Sequence, residues 1–457
     1  MCVLAASLTT TVAAQERFEQ GKPNISSYRY LDDYQALKNY INYSKYPNFK
    51  LGIGTTVNDY LSNSTFRSLV NKNFTETVAG NAMKMQSCVD DNGNMNFETV
   101  KRYVKTATEA GLHVYGHTLA WHSQQPNGWL RSLVNGKSQQ VRHDTLVYAM
   151  DKWIKGMMEA CDGKVKAWDL VNEALAGEGN DGEGNYLLQH STGYKSGTWD
   201  VGGNAFYWQD HLGDLDYVRQ ACRLARKYGP EDIKLFINDY NLESDWDNNH
   251  KVKSLVGWIK KWEADSITKI DGIGTQMHIN CFEDDNILNS IKQHITTMFE
   301  IMAASGKLCR VSEMDMGYVR GSNRWGSVTK TDLITEAEHK KMADFYEWII
   351  KEYLRIIPAE QQWGICQWCP FDQPAYSGWR KSEPVGIWDL NYYRKHAYAG
   401  FVRGLGGEVY TSINNVKAEK PDTSKGIYNL NGVRMQATSL DALPSGIYII
   451  DGKKIVK

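Results

Sequence analysis

Cysteine, long apolar runs and charge of one sign are all scarce in this chain. Eight of its 457 residues are cysteine, too few for a disulfide scaffold. No run of about 18 or more apolar residues is available to span a membrane. Lysine and arginine number 52 against 53 aspartate and glutamate, a formal net charge of -1, so no chain-wide field gathers nucleic acid or anionic lipid. The first apolar run is not followed by a glycine-rich dinucleotide turn, which argues against an open doubly wound sheet. Cys366 and Cys369 form a lone CxxC without the second pair of a zinc site or a thioredoxin-like context. A structural pair or two free thiols is expected there.

Aromatic rings, by contrast, are plentiful. They make up 12% of the chain, with 15 Trp and 26 Tyr, in a sequence of mean hydropathy -0.51. Many of them are therefore expected at the surface, where flat rings suit sugars and other ligands with apolar faces. The competing reading is a large core with a polar exterior. The first fifteen residues are small or apolar, carry no charge and finish in Ala13 and Ala14 before the polar Gln15, Glu16 and Arg17. They read as an export signal truncated at its basic start, and so predict a secreted or outer-surface protein.

From about Lys50 to Leu405, short apolar runs alternate with longer amphipathic ones. Strands are predicted at 50–55, 75–79, 112–117, 167–172, 234–238, 272–276, 308–312 and 363–367. Helices are predicted at 97–110, 144–161, 215–228, 248–264, 287–304, 337–354 and 393–405. This pattern predicts an α/β protein, a (β/α)8 TIM barrel with a short β-rich C-terminal tail. The expected division is a signal at 1–15, a catalytic domain at 16–406, a polar linker at 407–425 and a tail at 426–457. The tail carries Asn-Gly and Asp-Gly hairpin signals but too few residues to bury a core alone.

Barrel active sites lie at the C-terminal strand ends, and those ends are unusually polar here. The second strand runs into Asn81 and Lys84, and the third into His117, Trp121 and Gln124. The fourth runs into Asn172 and Glu173, the fifth into Asn238 and Asp239, the sixth into Gln276 and His278, and the seventh into Glu313 and Asp315. The eighth begins at Trp363, with Trp368 and Trp379 in the loop beyond. A single glutamate at a strand end is more often a surface residue. Seven strands aiming amides, imidazoles, carboxylates and indoles at one mouth are harder to dismiss. Glu173 and Glu313 follow strands that nearly face each other across a barrel. Carboxyls about 5 to 5.5 Å apart give the retaining, double-displacement route of glycoside hydrolysis. Asn172 is placed to bind a sugar 2-hydroxyl. Asp315 is placed to orient His278, which would keep Glu313 ionised. That asymmetry assigns Glu173 as acid and Glu313 as nucleophile.

Six segments carry a family resemblance: Gly-His-Thr-Leu-Ala-Trp-His-Ser-Gln at 116–124, Trp-Asp-Leu-Val-Asn-Glu-Ala at 168–174, Ile-Asn-Asp-Tyr-Asn at 237–241, Gly-Ile-Gly-Thr-Gln-Met-His at 272–278, Val-Ser-Glu-Met-Asp-Met at 311–316 and Trp-Gly at 363–364. In this order and spacing, across roughly 50–405, they resemble glycoside hydrolase family 10, the retaining endo-β-1,4-xylanases. The resemblance implies a (β/α)8 fold, Glu173 as general acid/base, Glu313 as nucleophile and xylan or xylo-oligosaccharides as partners, with neither cofactor nor metal. It implies glycone subsites lined by Asn81, Lys84, His117, Trp121, Gln124, Asn172, Gln276, His278 and Trp363. Trp379 would be the loop tryptophan over the cleft, unless the long stretch 366–378 makes Trp368 that ring. Asp315 and Asn238 would support the reacting groups from behind.

One position departs from the family pattern: Gly80 stands where a glutamate usually precedes Asn81. Distal glycone affinity is thereby in question, and a decorated xylose is a candidate occupant. At the far end, Gly-Ile-Tyr-X-X-X-Gly-Lys-Lys at 446–454 resembles the C-terminal sorting segment of the type IX secretion route of Bacteroidetes. Two other function classes compete, a metal-dependent sugar isomerase and a non-catalytic xylan-binding barrel. No nucleic-acid partner is expected, and a monomer is the expected oligomeric state.

Overall fold

Nine strands form one sheet in the first part of the chain: β1 (Lys50–Thr55), β2 (Glu76–Ala79), β3 (His113–Gly116), β4 (Ala167–Asn172), β5 (Lys234–Asp239), β6 (Gly272–Thr275), β7 (His278–Phe282), β8 (Leu308–Val319) and β9 (Gln362–Gln367). All their pairings are parallel. β7 pairs only with the outer half of β8, and the inner half of β8 pairs with β6 and β9. The remaining eight strands therefore close on themselves as a (β/α)8 barrel. This computed structural model describes residues 19–191 and 205–407 and, further on, 426–429, 432–436, 442–443, 447–450 and 453–456. The predicted signal at 1–15 and the 408–425 stretch of the linker lie outside the described residues.

A helix follows each barrel strand: α1 (Ser64–Asn73), α2 (Glu98–Glu109), α3 (Gln139–Cys161), α4 (Asp216–Tyr228), α5 (His250–Glu263), α6 (Asp285–Ala304), α7 (Glu336–Ile356) and α8 (His396–Gly404). Polar caps set several of their starts. The Asn63 side chain accepts from the backbone N–H of Thr65 and Phe66, and Ser138 and Asp284 cap α3 and α6 in the same way. Thr335 and Glu338 form a reciprocal capping box on α7. This is why α3 begins at Gln139 rather than at 144. It is also why α1, absent from the sequence prediction, forms from a short segment.

The barrel strands are buried along almost their whole length, as expected when helices cover the outside and side chains fill the inside. At the closing seam Gly364 has φ +140, and a Cβ there would overlap the Lys50 backbone. The glycine of the Trp-Gly motif is thus a requirement of closure. All seven described cysteines are buried thiols, Cys366 and Cys369 among them.

Residues 409–457 form a separate unit. It contains an antiparallel sheet of β10 (Ile427–Asn429), β11 (Ile447–Ile450) and β12 (Lys453–Val456). Its buried cluster is Ile427, Leu443, Tyr448 and Ile450, with Met435 packed against it.

Candidate active site

The two glutamates arrive at the barrel mouth by different backbone routes. Glu313 lies within β8, extended and buried. Glu173 follows β4 immediately and has φ +56, a left-handed conformation that costs an L-residue roughly 1–2 kcal/mol. Its N–H donates to Asn238 O (2.8 Å) and its carbonyl accepts from Gln189 Nε2 (2.9 Å). The turn is therefore held by main-chain partners and leaves the carboxyl facing the mouth.

A line of amides joins the two carboxyls. Asn238 Nδ2 donates to Glu313 Oε1 (2.8 Å) and to Asn172 Oδ1 (2.9 Å). Asn172 Nδ2 donates to Glu173 Oε1 (3.2 Å), which also accepts from Gln276 Nε2 (2.9 Å). Trp121 Nε1 donates to Glu173 Oε2 (3.1 Å). Ser312 Oγ fixes Asn238 from behind by donating to its Oδ1 (2.6 Å). Glu173 and Glu313 thus face one shared set of side chains from β4 and β8.

The charges around them are unequal. His278 places Nε2 3.4 Å from Glu313 Oε2 and Nδ1 3.1 Å from Asp315 Oδ1. Burial alone would raise the Glu313 carboxyl, but the His278 hydrogen bond and the charges of His117, His278 and Lys84 hold it down at about 2. Burial likewise opposes charge on His278, yet Asp315 and Glu313 push it up to about 10. Asp315, whose burial is opposed by His278, Arg380 and Trp379, is held at about 2. The result is a buried carboxylate–imidazolium–carboxylate row with Glu313 at its open end. Two amides and an indole donate to Glu173, and His122 Nε2 lies 4.0 Å from its Oε2.

Beside the pair opens a cleft of ≈ 840 Å³, bounded by the loops after β1, β2 and β9. Asn81, Lys84 and Gln124 form a polar cluster on its wall. Lys84 Nζ donates to Gln124 Oε1 (2.6 Å) and Asn81 Oδ1 (3.1 Å), and the ammonium lies 5.0 Å from the Trp121 ring centroid. Burial lowers the Lys84 pKa against the opposing pull of Glu313 and Glu173. Trp368 and Trp379 both line the cleft. Trp368 meets His117 edge to face, and Trp379 packs on His278 and donates from Nε1 to Asp315 Oδ2 (2.8 Å). The structure therefore places both indoles at the mouth rather than one in place of the other. Among the described residues, no three His, Cys, Asp or Glu side chains converge in a geometry that would hold a metal.

Trp363 is the correction. It is the second residue of β9, and its ring packs inside the barrel on Tyr115 and Phe236 while Nε1 donates to Glu76 Oε2 (3.0 Å). Glu76 is the first residue of β2, so Trp363 sits at the N-terminal end, away from the cleft. A side chain at the start of a strand cannot reach the mouth that its last residues line.

Two supports went unread in the sequence. Asp169, inside β4, accepts from Tyr115 OH (2.7 Å) and lies 2.8 Å from His117 Nδ1, fixing that imidazole. Its signal was available, a charged residue in the middle of an apolar strand. Arg380, in the loop after β9, donates to Asp315 Oδ1 (2.8 Å), Asn280 Oδ1 (2.6 Å) and Glu383 Oε2 (2.7 Å). Nothing local in the sequence marks it.

Comparison with known proteins agrees with this geometry. A sequence model of glycosyl hydrolase family 10 matches residues 41–403. The chain is 29% identical over 388 residues to endo-β-1,4-xylanase Xyn10C of Cellvibrio japonicus, covering 80% of this chain and 57% of that one. It is 30% identical to endo-1,4-β-xylanase C of Paenibacillus barcinonensis, covering 78% of this chain and 31% of that one. The chain therefore spans about half or less of the length of these curated relatives. Among solved structures, a Cellvibrio japonicus xylanase 10C variant in complex with xylopentaose is 26% identical, with TM-score 0.65, and the match covers 82% of this chain and 70% of that one.

Proposed function

The chain belongs to glycosyl hydrolase family 10, and on that premise we propose that it is a retaining endo-β-1,4-xylanase cleaving internal bonds of xylan. Glu313 acts as nucleophile and Glu173 as acid/base. The observation that carries this reading is the amide line joining Glu173 to Glu313, with the charged row attached only at the Glu313 end. A nucleophile must be ionised at the moment of attack, and the row keeps Glu313 so. An acid/base must take and release a proton, and the groups that donate to the Glu173 carboxyl are neutral amides and an indole.

In the first step Glu313 Oε attacks the anomeric carbon while Glu173 protonates the departing glycosidic oxygen. The C–O bond breaks and a covalent glycosyl ester forms. In the second, Glu173 takes a proton from water, whose oxygen replaces Glu313 at the same carbon. Two inversions leave the β-configuration. Asn81, Lys84, His117 and Gln124 would fix glycone hydroxyls, and an unpaired buried donor among them penalises a wrong sugar. Trp368 and Trp379 would cover the ring faces, and Asn172 would hold the 2-hydroxyl. At Gly80 an added Cβ would meet only the Thr55 carbonyl oxygen, at 3.4 Å. The space there supports admission of a decorated xylose.

The finer readings of the termini belong to the same proposal. Residues 1–15 act as an export leader, 16–406 as the catalytic domain, 407–425 as a linker and 426–457 as a sorting segment, giving a secreted or surface enzyme. Composition and the Gly-Lys-Lys ending support them. The test of function is incubation with xylan and with carboxymethyl cellulose, with NMR following the anomer released first. Xylan cleavage with β-anomer first is expected. α-Anomer first removes the mechanism, and no release from xylan removes the assignment.

A further inference from the structure

Two indoles on the barrel's catalytic face stand outside everything assigned above. Trp246, between β5 and α5, is 55% exposed, and Trp325, between β8 and α7, is 74% exposed. Their ring centroids are 5.6 Å apart, with planes inclined at 50°. Single exposed tryptophans are ordinary. Two from separate loops, set side by side in water, form an apolar patch of the kind that marks a binding surface.

The residues just before them hold the pair in place. Arg324 makes a two-pronged ion pair with Asp245, whose side chain is only 4% exposed. Ser290 Oγ adds a hydrogen bond to Asp245 Oδ2 (2.8 Å). Such a clasp fixes the loop backbones that carry both rings, so little ordering remains to be done when a ligand arrives. The loops that carry the indoles also follow strands that supply groups of the proposed reaction. The cleft lies at the β9, β1 and β2 side of the ring of strands. Trp246 and Trp325 rise from β5 and β8, the strands that supply Asn238 and Glu313.

We propose that Trp246 and Trp325 form an aglycone-side ledge that binds a β-1,4-linked xylosyl chain after it has passed the two carboxylates. This rests on the xylanase reading. The ring separation is of the order of one pyranose unit. The inclination between the planes suits a chain whose successive rings are turned about its axis better than a flat ribbon. Sugar C–H faces on indole bury apolar surface without requiring charge.

The test measures chain-length dependence of binding in the full chain carrying Glu313→Gln, by calorimetry with xylotriose and xylohexaose. The hexamer is expected to bind at least about tenfold tighter than the trimer. Adding Trp246→Ala and Trp325→Ala is expected to cut that advantage to about twofold or less, and Trp246→Phe with Trp325→Phe to restore most of it. Equal loss at both lengths, or an undiminished advantage, overturns the ledge while xylan hydrolysis by the unmodified chain still stands. Cello-oligosaccharides of the same lengths should gain less from the ledge, and an equal or larger gain overturns the twisted-chain assignment. No binding at any length, together with no hydrolysis by the unmodified chain, overturns the xylanase reading and the ledge with it.

Discussion

The two ends of this barrel each bury a glutamate, an aromatic cluster and a cation, yet only one end carries the pair proposed to react. At the N-terminal end Glu76 pairs with Arg310, both about 1% exposed, and Trp363 Nε1 occupies the other carboxylate oxygen. The Arg310 guanidinium lies 3.7 Å from the Tyr115 ring centroid. At the C-terminal end Glu313 pairs with His278, which can lose its charge, and with an amide, and Trp379, which packs on His278, lines an open cleft. Burial of an acid is therefore not the mark of catalysis. A titratable partner and a cleft nearby distinguish the carboxylate proposed to react from the structural one.

The sharpest way to break this contrast is to remove each acid in turn. Glu313→Gln should lower xylan turnover on the order of 10⁴-fold or more, since it deletes the proposed nucleophile. The thermal midpoint should stay within a few degrees. Retained turnover would end the proposed mechanism. Glu76→Ala should do the reverse. It leaves Arg310 buried without its partner, a loss of about 3–5 kcal/mol, read as an earlier midpoint in urea unfolding. The protein that remains folded should keep most of its specific activity. Equal effects of the two variants on activity would erase the distinction between the ends.

The contrast also explains what could be read from the chain. Eight alternating apolar runs predict the barrel because each strand is buried on both faces and each helix on one, so the periodicities separate cleanly. The polar residues at the strand ends were legible for the same reason: polarity that interrupts an apolar run must be accounted for. Trp363 was misplaced because a motif records which residues occur together in sequence, not which end of a strand they occupy. β7 was missed because it pairs along an extension of β8 beyond the barrel, where the apolar run gives no warning. Arg380 was invisible for a different reason. Its partners Asp315 and Asn280 lie 65 and 100 residues away, and no local pattern encodes such a contact.

The charged row makes a graded prediction in pH. His278 is raised to about 10, so its contribution to stability is complete below its ordinary value near 6.5 and fades as pH climbs through about 10. Glu313 is lowered to about 2, so its contribution is complete above about 4.5 and fades as pH falls through about 2. The row is fully stabilising between about 4.5 and 6.5. His278→Asn removes the cation while burial of Glu313 persists. The acid limb of kcat/KM should then move upward by about one to two pH units. An unmoved acid limb would show that His278 does not hold Glu313 ionised.

The smallest effects test the tryptophans. Trp379 lies over the cleft and on His278, so Trp379→Ala should raise KM for xylo-oligosaccharides by about three- to tenfold, through a lost stacking surface worth roughly 1 kcal/mol. Trp363→Phe keeps a ring against Tyr115 and Phe236 and loses only the hydrogen bond to Glu76. Because Glu76 is buried and already paired with Arg310, that deletion should cost about 1 kcal/mol of stability. KM should not change, for the ring is at the opposite end from the sugar. A Trp363→Phe chain with normal stability and a raised KM would reverse the assignment of ends. It would return Trp363 to the cleft that its motif suggested, and burial at the N-terminal end would then need another explanation.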